Sequence, residues 1–125
     1  MDKQRIAIIG LGRIGSAFLR QILKKLNHGL TLSCVAEALD TPGRQAAQAA
    51  GIQVCTLDDI VAMGNEIDVI FELTGLPQVR RELREKLVGS DNRQTVIASE
   101  SIVRVIWALI SDEELPVIAG RATGY

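Results

Sequence analysis

Short, wholly apolar runs alternate along the chain with longer stretches whose apolar residues recur every three or four positions. Ile6, Ala7, Ile8 and Ile9 are consecutive, the pattern of a strand covered on both faces of a parallel sheet. The predicted first strand spans 5–9. Over 13–26, Ile14, Ala17, Phe18, Ile22 and Leu26 share one helical face and leave Arg20, Lys24 and Lys25 for solvent, which predicts a helix. Asn27, His28 and Gly29 close it, Gly29 being suited to a left-handed cap. A second strand is predicted over 32–38. Thr41 as cap and Pro42 in the first turn open a helix running to about residue 50, with Gly51 after its end.

The alternation continues. A third strand is predicted over 52–55 and a short helix over 57–63, with Asp58 or Asp59 near its positive end. A fourth strand follows over 68–73, a helix over 77–88, and a fifth strand over 95–98. Residues 101–110 read as a strongly apolar helix or a long strand, and 115–118 as an edge strand. No repeat, low-complexity segment or dividing linker interrupts the series. Strands alternating with helices imply right-handed crossovers. The predicted fold class is α/β: one doubly wound parallel sheet of five to six strands, a single domain over 1–125.

Gly10-Leu11-Gly12-Arg13-Ile14-Gly15 lies between the first strand and the first helix. A GxGxxG string alone is weak; in a strand–turn–helix context it predicts a dinucleotide diphosphate site. Gly10 permits the tight turn, Gly12 leaves room for the diphosphate, and Gly15 lets the helix pack on the strand. Free N–H groups and the helix dipole then hold the anion. Glu37 is the predicted ribose acid, 22 positions after Gly15 and near the expected separation of about 20. It would repel a 2′-phosphate, so NAD is favoured over NADP. Asp40 competes for the role. Arg44 is a possible partner for a 2′-phosphate, but reads better as a solvated residue of a first helical turn.

Ligands of such sheets sit at the carboxyl ends of the strands, where strand order reverses. That edge is lined here by the glycine loop, Glu37, Leu73, Thr74, Gly75, Ser99 and Glu100. Thr74 and Gly75 are expected near the nicotinamide-side ribose, Thr74 also as a cap for the helix at Pro77. Glu72 ends an apolar strand, where an unpaired carboxylate is costly. Structural pairing explains it better than catalysis.

Composition narrows the classes. The chain has 125 residues, 47% of them hydrophobic and 23% charged, with a formal net charge of −1. No basic excess invites nucleic acid or an anionic membrane, and no apolar run approaches the roughly 20 residues of a membrane span. No secretory signal is recognisable at the start, so a cytoplasmic location is expected. Cys34 and Cys55 read as small buried hydrophobes in a reducing compartment. With one histidine and no ligand-spaced cysteines, no metal site is predicted. His28, in a loop far from the ligand edge, reads as solvated, and no catalytic residue is assigned.

Residues 6–15, Val35-Ala36-Glu37, 51–59 and 68–75 together resemble the NAD(P)-binding Rossmann domain of the glucose–fructose oxidoreductase and inositol 2-dehydrogenase family. Homoserine dehydrogenase and dihydrodipicolinate reductase have similar domains, as do some bacterial signalling proteins. The resemblance covers roughly residues 3–110. It implies a Rossmann fold and a nicotinamide dinucleotide cofactor. That family carries Glu-Lys-Pro after the fifth strand, whereas this chain has Ser99-Glu100-Ser101-Ile102; only Glu100 matches. The family's large second domain, which supplies substrate contacts and catalytic groups, has no counterpart in these residues.

Three functions compete. The first is an NAD(P)-binding module, free-standing or acting with a partner as a redox or nucleotide sensor. The second is an NAD(P)-dependent oxidoreductase completed by another subunit or domain. The third is a Rossmann-like binder of coenzyme A or another nucleotide. The segment 102–110, apolar except for Arg104, reads equally as cover for the fifth strand or as a homodimer or partner interface anchored by Trp107.

Overall fold

The computed structural model describes residues 3–26, 28–98 and 100–111, with Glu100 described by its backbone alone. The elements run β1 (Gln4–Ile9), α1 (Arg13–Leu23), β2 (Leu30–Ala36), α2 (Pro42–Ala49), β3 (Val54–Cys55), α3 (Leu57–Ala62), a 3₁₀ turn (Gly64–Glu66), β4 (Val69–Glu72), α4 (Pro77–Gly89), β5 (Val96–Ala98) and α5 (Glu100–Ile110). The five strands are parallel, in the order β3-β2-β1-β4-β5. This is the doubly wound α/β architecture of the Rossmann type.

The order follows from handedness. Right-handed crossovers from β1 to β2 and from β2 to β3 move one way across the sheet; the crossover from β4 to β5 moves the other way. One face therefore packs Ile6, Ile8, Val35 and Phe71 against α1, Ala47 of α2, and Val103 and Trp107 of α5. The other packs Ala7, Ile9, Cys34, Ala36, Cys55 and Ile70 against Ile60 of α3 and Leu83 and Leu87 of α4. Burial on both faces is why the strands read as unbroken apolar runs. Phe18 and Phe71 meet across the first face, ring centres 4.9 Å apart and tilted by 54°, an arrangement that suits aromatic quadrupoles.

Most boundaries shift by one to three residues from the sequence reading. α1 ends at Leu23 rather than 26, and β2 occupies Leu30–Ala36 rather than 32–38. The loop closing α1 passes through Gly29 at φ +92°; Asn27 and the expected strand at 115–118 lie outside the described residues. Residues 100–110 are a helix, not a strand. Trp107 is only 4% exposed and belongs to the core beside Val103, which corrects its reading as an interface anchor. The exposed large apolar residues of α5 are Ile102, Val105 and Leu109, with Ser101, Arg104 and Ala108 also exposed. Cys34 and Cys55 are buried free thiols. Among the described residues no helix is long and apolar enough to cross a membrane.

Candidate functional site

Strand order reverses between β1 and β4, and the loops leaving these two strands meet there. Gly10 has φ +96°, and a Cβ built on it would lie 2.8 Å from the Thr74 nitrogen. Only glycine fits that turn. A Cβ on Gly15 would lie 1.7 Å from the Gly10 carbonyl oxygen, so α1 sits on the end of β1 at a distance no side chain tolerates. A Cβ on Gly12 would meet nothing within 4 Å. The three glycines thus divide the work as their spacing predicts: a turn, a bare exposed surface, and a helix–strand contact.

The loop is held by its neighbours. The Leu11 N–H donates to Glu37 Oε1 at 2.8 Å. The Leu11 carbonyl accepts the Ser16 hydroxyl and the Thr41 hydroxyl, each at 2.9 Å, and the Leu11 side chain is fully buried. Gly12 and Arg13 are exposed and Ile14 is buried. No side chain caps α1, and its first turn carries no acid, so the helix presents its positive end outward. Gly43 completes the support: a Cβ there would lie 2.0 Å from Ser16 Oγ and 2.7 Å from the Leu11 carbonyl. Sequence reasoning missed Gly43. Its only sequence signal is its place after Pro42, which a helix start explains by itself.

Glu37 stands at the end of β2, half-buried. Its second oxygen, Oε2, accepts the Leu39 N–H at 3.1 Å. Each oxygen keeps a lone pair for a further donor. Asp40 is exposed, accepts from Gln45 at 3.2 Å, and is absent from the cleft described below. Arg44 departs from the reading as a solvated residue. Its Nη1 donates to the Glu37 carbonyl at 3.0 Å, which lays the guanidinium along the end of β2. Thr41 caps α2 as expected, accepting the Arg44 N–H.

On the β4 side, Glu72 has no exposed surface. Its Oε1 accepts the Thr74 N–H at 3.0 Å and also the Thr74 hydroxyl, and its Oε2 accepts Arg80 Nε at 3.1 Å. The carboxylate is therefore structurally paired, as the sequence argument favours. Thr74 also accepts the Leu76 N–H at 3.0 Å. The residue preceding α4 is Leu76, with no side-chain cap, so Thr74 braces the loop rather than capping the helix. Leu73 is buried, Thr74 and Gly75 half-buried. Ser99 and the Glu100 side chain lie outside the described residues.

A cleft of about 650 Å³ opens over the carboxyl ends of β1 to β4. Its lining includes Gly10, Glu37 and Arg44, Thr74 and Leu76, and Thr56 and Asp59. Leu39 and Leu76 are notably exposed for leucines, at 70% and 40%. Asp59 belongs to a capping box: Thr56 Oγ1 accepts the Asp59 N–H, and Asp59 Oδ2 accepts the Thr56 N–H. Those bonds hold its carboxyl below the usual range. Sequence analysis placed Asp59 only as a first-turn acid; the Thr-x-x-Asp spacing was the available signal. A second cleft, between Asn65 and Asn92, opens beside the loops that lead into β4 and β5, away from this edge.

No protein-family model and no curated protein sequence matches the chain. Solved structures do share its fold. A homoserine dehydrogenase of S. aureus matches 90% of this chain at a TM-score of 0.58 and 16% identity. A Bacteroides fragilis protein assigned as an NADP oxidoreductase matches 91% at 0.58 and 16%. A protein named RSP, crystallised with β-NADH, matches 86% at 0.55 and 15%. The matched region is 30% of the homoserine dehydrogenase, 41% of the Bacteroides fragilis protein and 60% of RSP. This chain is similar to them in fold, a doubly wound parallel sheet.

Proposed function

We propose that this chain is an NAD(P)-binding module. The single observation that carries the reading is Gly12: it lies between two glycines walled in by main chain and itself faces open space, at the uncapped start of α1. That is the geometry a diphosphate needs. Gly10, Leu11, Gly12, Arg13, Ile14 and Gly15 form the diphosphate loop. Glu37 receives the adenosine ribose hydroxyls, and Leu73, Thr74 and Gly75 border the nicotinamide side, with Ser99 and Glu100 assigned there from sequence. The three neighbours, described as a homoserine dehydrogenase, an NADP oxidoreductase and an NADH complex, support a nicotinamide dinucleotide over coenzyme A.

Glu37 favours NAD, since its charge opposes a 2′-phosphate. Arg44, along the end of β2, reduces that discrimination without reversing it. The module acts as a redox or nucleotide sensor, alone or with a partner, the exposed face of α5 being the surface offered to a second copy or another protein. A second reading is favoured by one observation: in the homoserine dehydrogenase the matched fold is only 30% of the chain. On that reading the nicotinamide meets its substrate against another domain or subunit, and the protein is an oxidoreductase.

Calorimetric titration with NADH, NAD, NADPH and coenzyme A tests the proposal. Binding of NAD(H) in the micromolar range or tighter, with coenzyme A silent, is expected. Coenzyme A binding without NAD(H) overturns it. NADH oxidation dependent on an added substrate selects the second reading.

A further inference from the structure

The geometry points to Asp59 as the group that reads the base of the bound dinucleotide, selecting the exocyclic amine of adenine over the carbonyl of hypoxanthine. This rests on the dinucleotide reading and adds the residue that recognises its base.

The sheet sets the distances. From the diphosphate loop at the end of β1, the ends of β2 and β3 lie one and two strands away, a total span of about 10 Å. Glu37 closes β2, and Cys55, Thr56 and Asp59 follow at the end of β3, all lining one cleft. A dinucleotide with its diphosphate at Gly12 and its ribose at Glu37 therefore carries its base toward Asp59. Leu39, Val54, Leu76 and Val79 line the same cleft and supply aliphatic surface. They suit the faces of a planar ring, and the polar choice is left to its edge.

Asp59 is equipped for that choice. The capping box fixes its orientation, because Oδ2 accepts the Thr56 N–H at 3.0 Å while the Asp59 N–H is held by Thr56 Oγ1 at 3.1 Å. Oδ1 makes no hydrogen bond among the described residues. An ionised carboxylate only accepts. It pairs with the amine of adenine, a donor, and opposes the ring carbonyl that replaces the amine in hypoxanthine, an acceptor. Glu82 also lines the cleft but lies 3.9 Å from Lys86, so its charge is shared with a cation. Asp59 has no such partner among the ion pairs of the described residues, its neighbour Asp58 being the one that takes Lys86 at 2.7 Å.

The test compares NADH with reduced nicotinamide hypoxanthine dinucleotide by calorimetry. The parent protein is expected to prefer NADH by about tenfold, the usual effect of one charge-assisted hydrogen bond made or lost. Asp59→Asn keeps an oxygen to accept the Thr56 N–H and turns an NH₂ toward the cleft, so the preference should vanish or invert while the urea midpoint stays close to the parent's. Equal affinity of the parent for both dinucleotides overturns the assignment, as does an unchanged preference in Asp59→Asn. If the variant is destabilised, Glu82→Gln, which leaves the box intact, is expected to keep the parent's preference; loss of preference there moves the role to Glu82 and overturns the assignment. Binding of neither dinucleotide by the parent overturns the dinucleotide reading itself.

Discussion

Glu37 and Leu11 are joined across two loops by a 2.8 Å bond from the Leu11 N–H to the Glu37 carboxylate. The residue proposed to receive the ribose thus also holds the diphosphate loop. Glu37→Ala leaves the part-buried Leu11 N–H without its acceptor, at a cost of about 1–3 kcal/mol, and removes the charge that opposes NADPH. A lower urea midpoint, weaker NADH binding and a smaller NADH-to-NADPH ratio are expected together. Glu37→Arg should shift the ratio further. An unchanged ratio in both variants transfers the ribose role away from Glu37.

Gly12 and Gly15 should respond oppositely to substitution. Gly12→Val places its branches in open space, so the melting temperature should move little while NADH binding disappears. Gly15→Ala drives a methyl to within 1.7 Å of a main-chain oxygen. Neither partner is a flexible side chain, and a loss of about 3 kcal/mol or more is expected, read as a lower melting temperature. A Gly12→Val protein that binds NADH like the parent would show that the diphosphate lies elsewhere.

Breaking the buried pair of Glu72 and Arg80 from one side should be costly. Arg80→Met strands a carboxylate with no exposure, for which about 3–5 kcal/mol is typical. Removing both charges with Glu72→Gln and Arg80→Met should recover part of that loss, because the stranded charge is gone. Chemical denaturation of the two single variants and the double variant measures the coupling. Strict additivity would mean that the pair contributes nothing as a pair.

Asp68 gives an acid-side signature. Arg5 holds the Asp68 carboxyl below its ordinary value of 3.8, through its side chain first and its backbone N–H second. A depressed folded-state value means stability present above 3.8 and lost as pH falls through the lower, folded value. The advantage of the parent over Asp68→Asn should therefore be full near neutrality and shrink on acidification below 3.8. Urea midpoints of both proteins across that range give the difference directly. An advantage independent of pH would assign the effect to shape rather than charge.

Cys34 should be inert. Burial, first, and the adjacent Cys55 push its thiol up to about 12, so little thiolate exists at pH 8 to react. Modification of Cys34 by a thiol reagent, followed by peptide mass analysis, should be slow in the folded protein and rapid in denaturant.

The architecture was legible because strands buried on both faces announce themselves: Ile6 to Ile9 and Val69 to Phe71 carry apolar side chains toward both helical layers. The turn at Gly10 and the close helix–strand contact at Gly15 were legible because the glycines lie close together in sequence. What was hidden depends on contacts between distant residues. Nothing near Gly43 shows that Ser16 and Leu11 will press against it. Nothing near Arg44 shows that its guanidinium will reach back to the Glu37 carbonyl. Trp107 left two readings open because an apolar helix looks the same in sequence whether its aromatic residue faces inward or outward; Val103, one turn before it, shares its buried face. The Thr56–Asp59 box is marked in sequence by its Thr-x-x-Asp spacing, although the helix dipole by itself accounts for an acid in a first turn.

The Leu11 peptide units are restrained from three directions, by Glu37, Ser16 and Thr41. An incoming ligand then finds a finished mould, and little of its binding energy is spent on ordering the chain around it. Selectivity among similar anions should accordingly be written in how slowly each one departs, with arrival rates nearly alike.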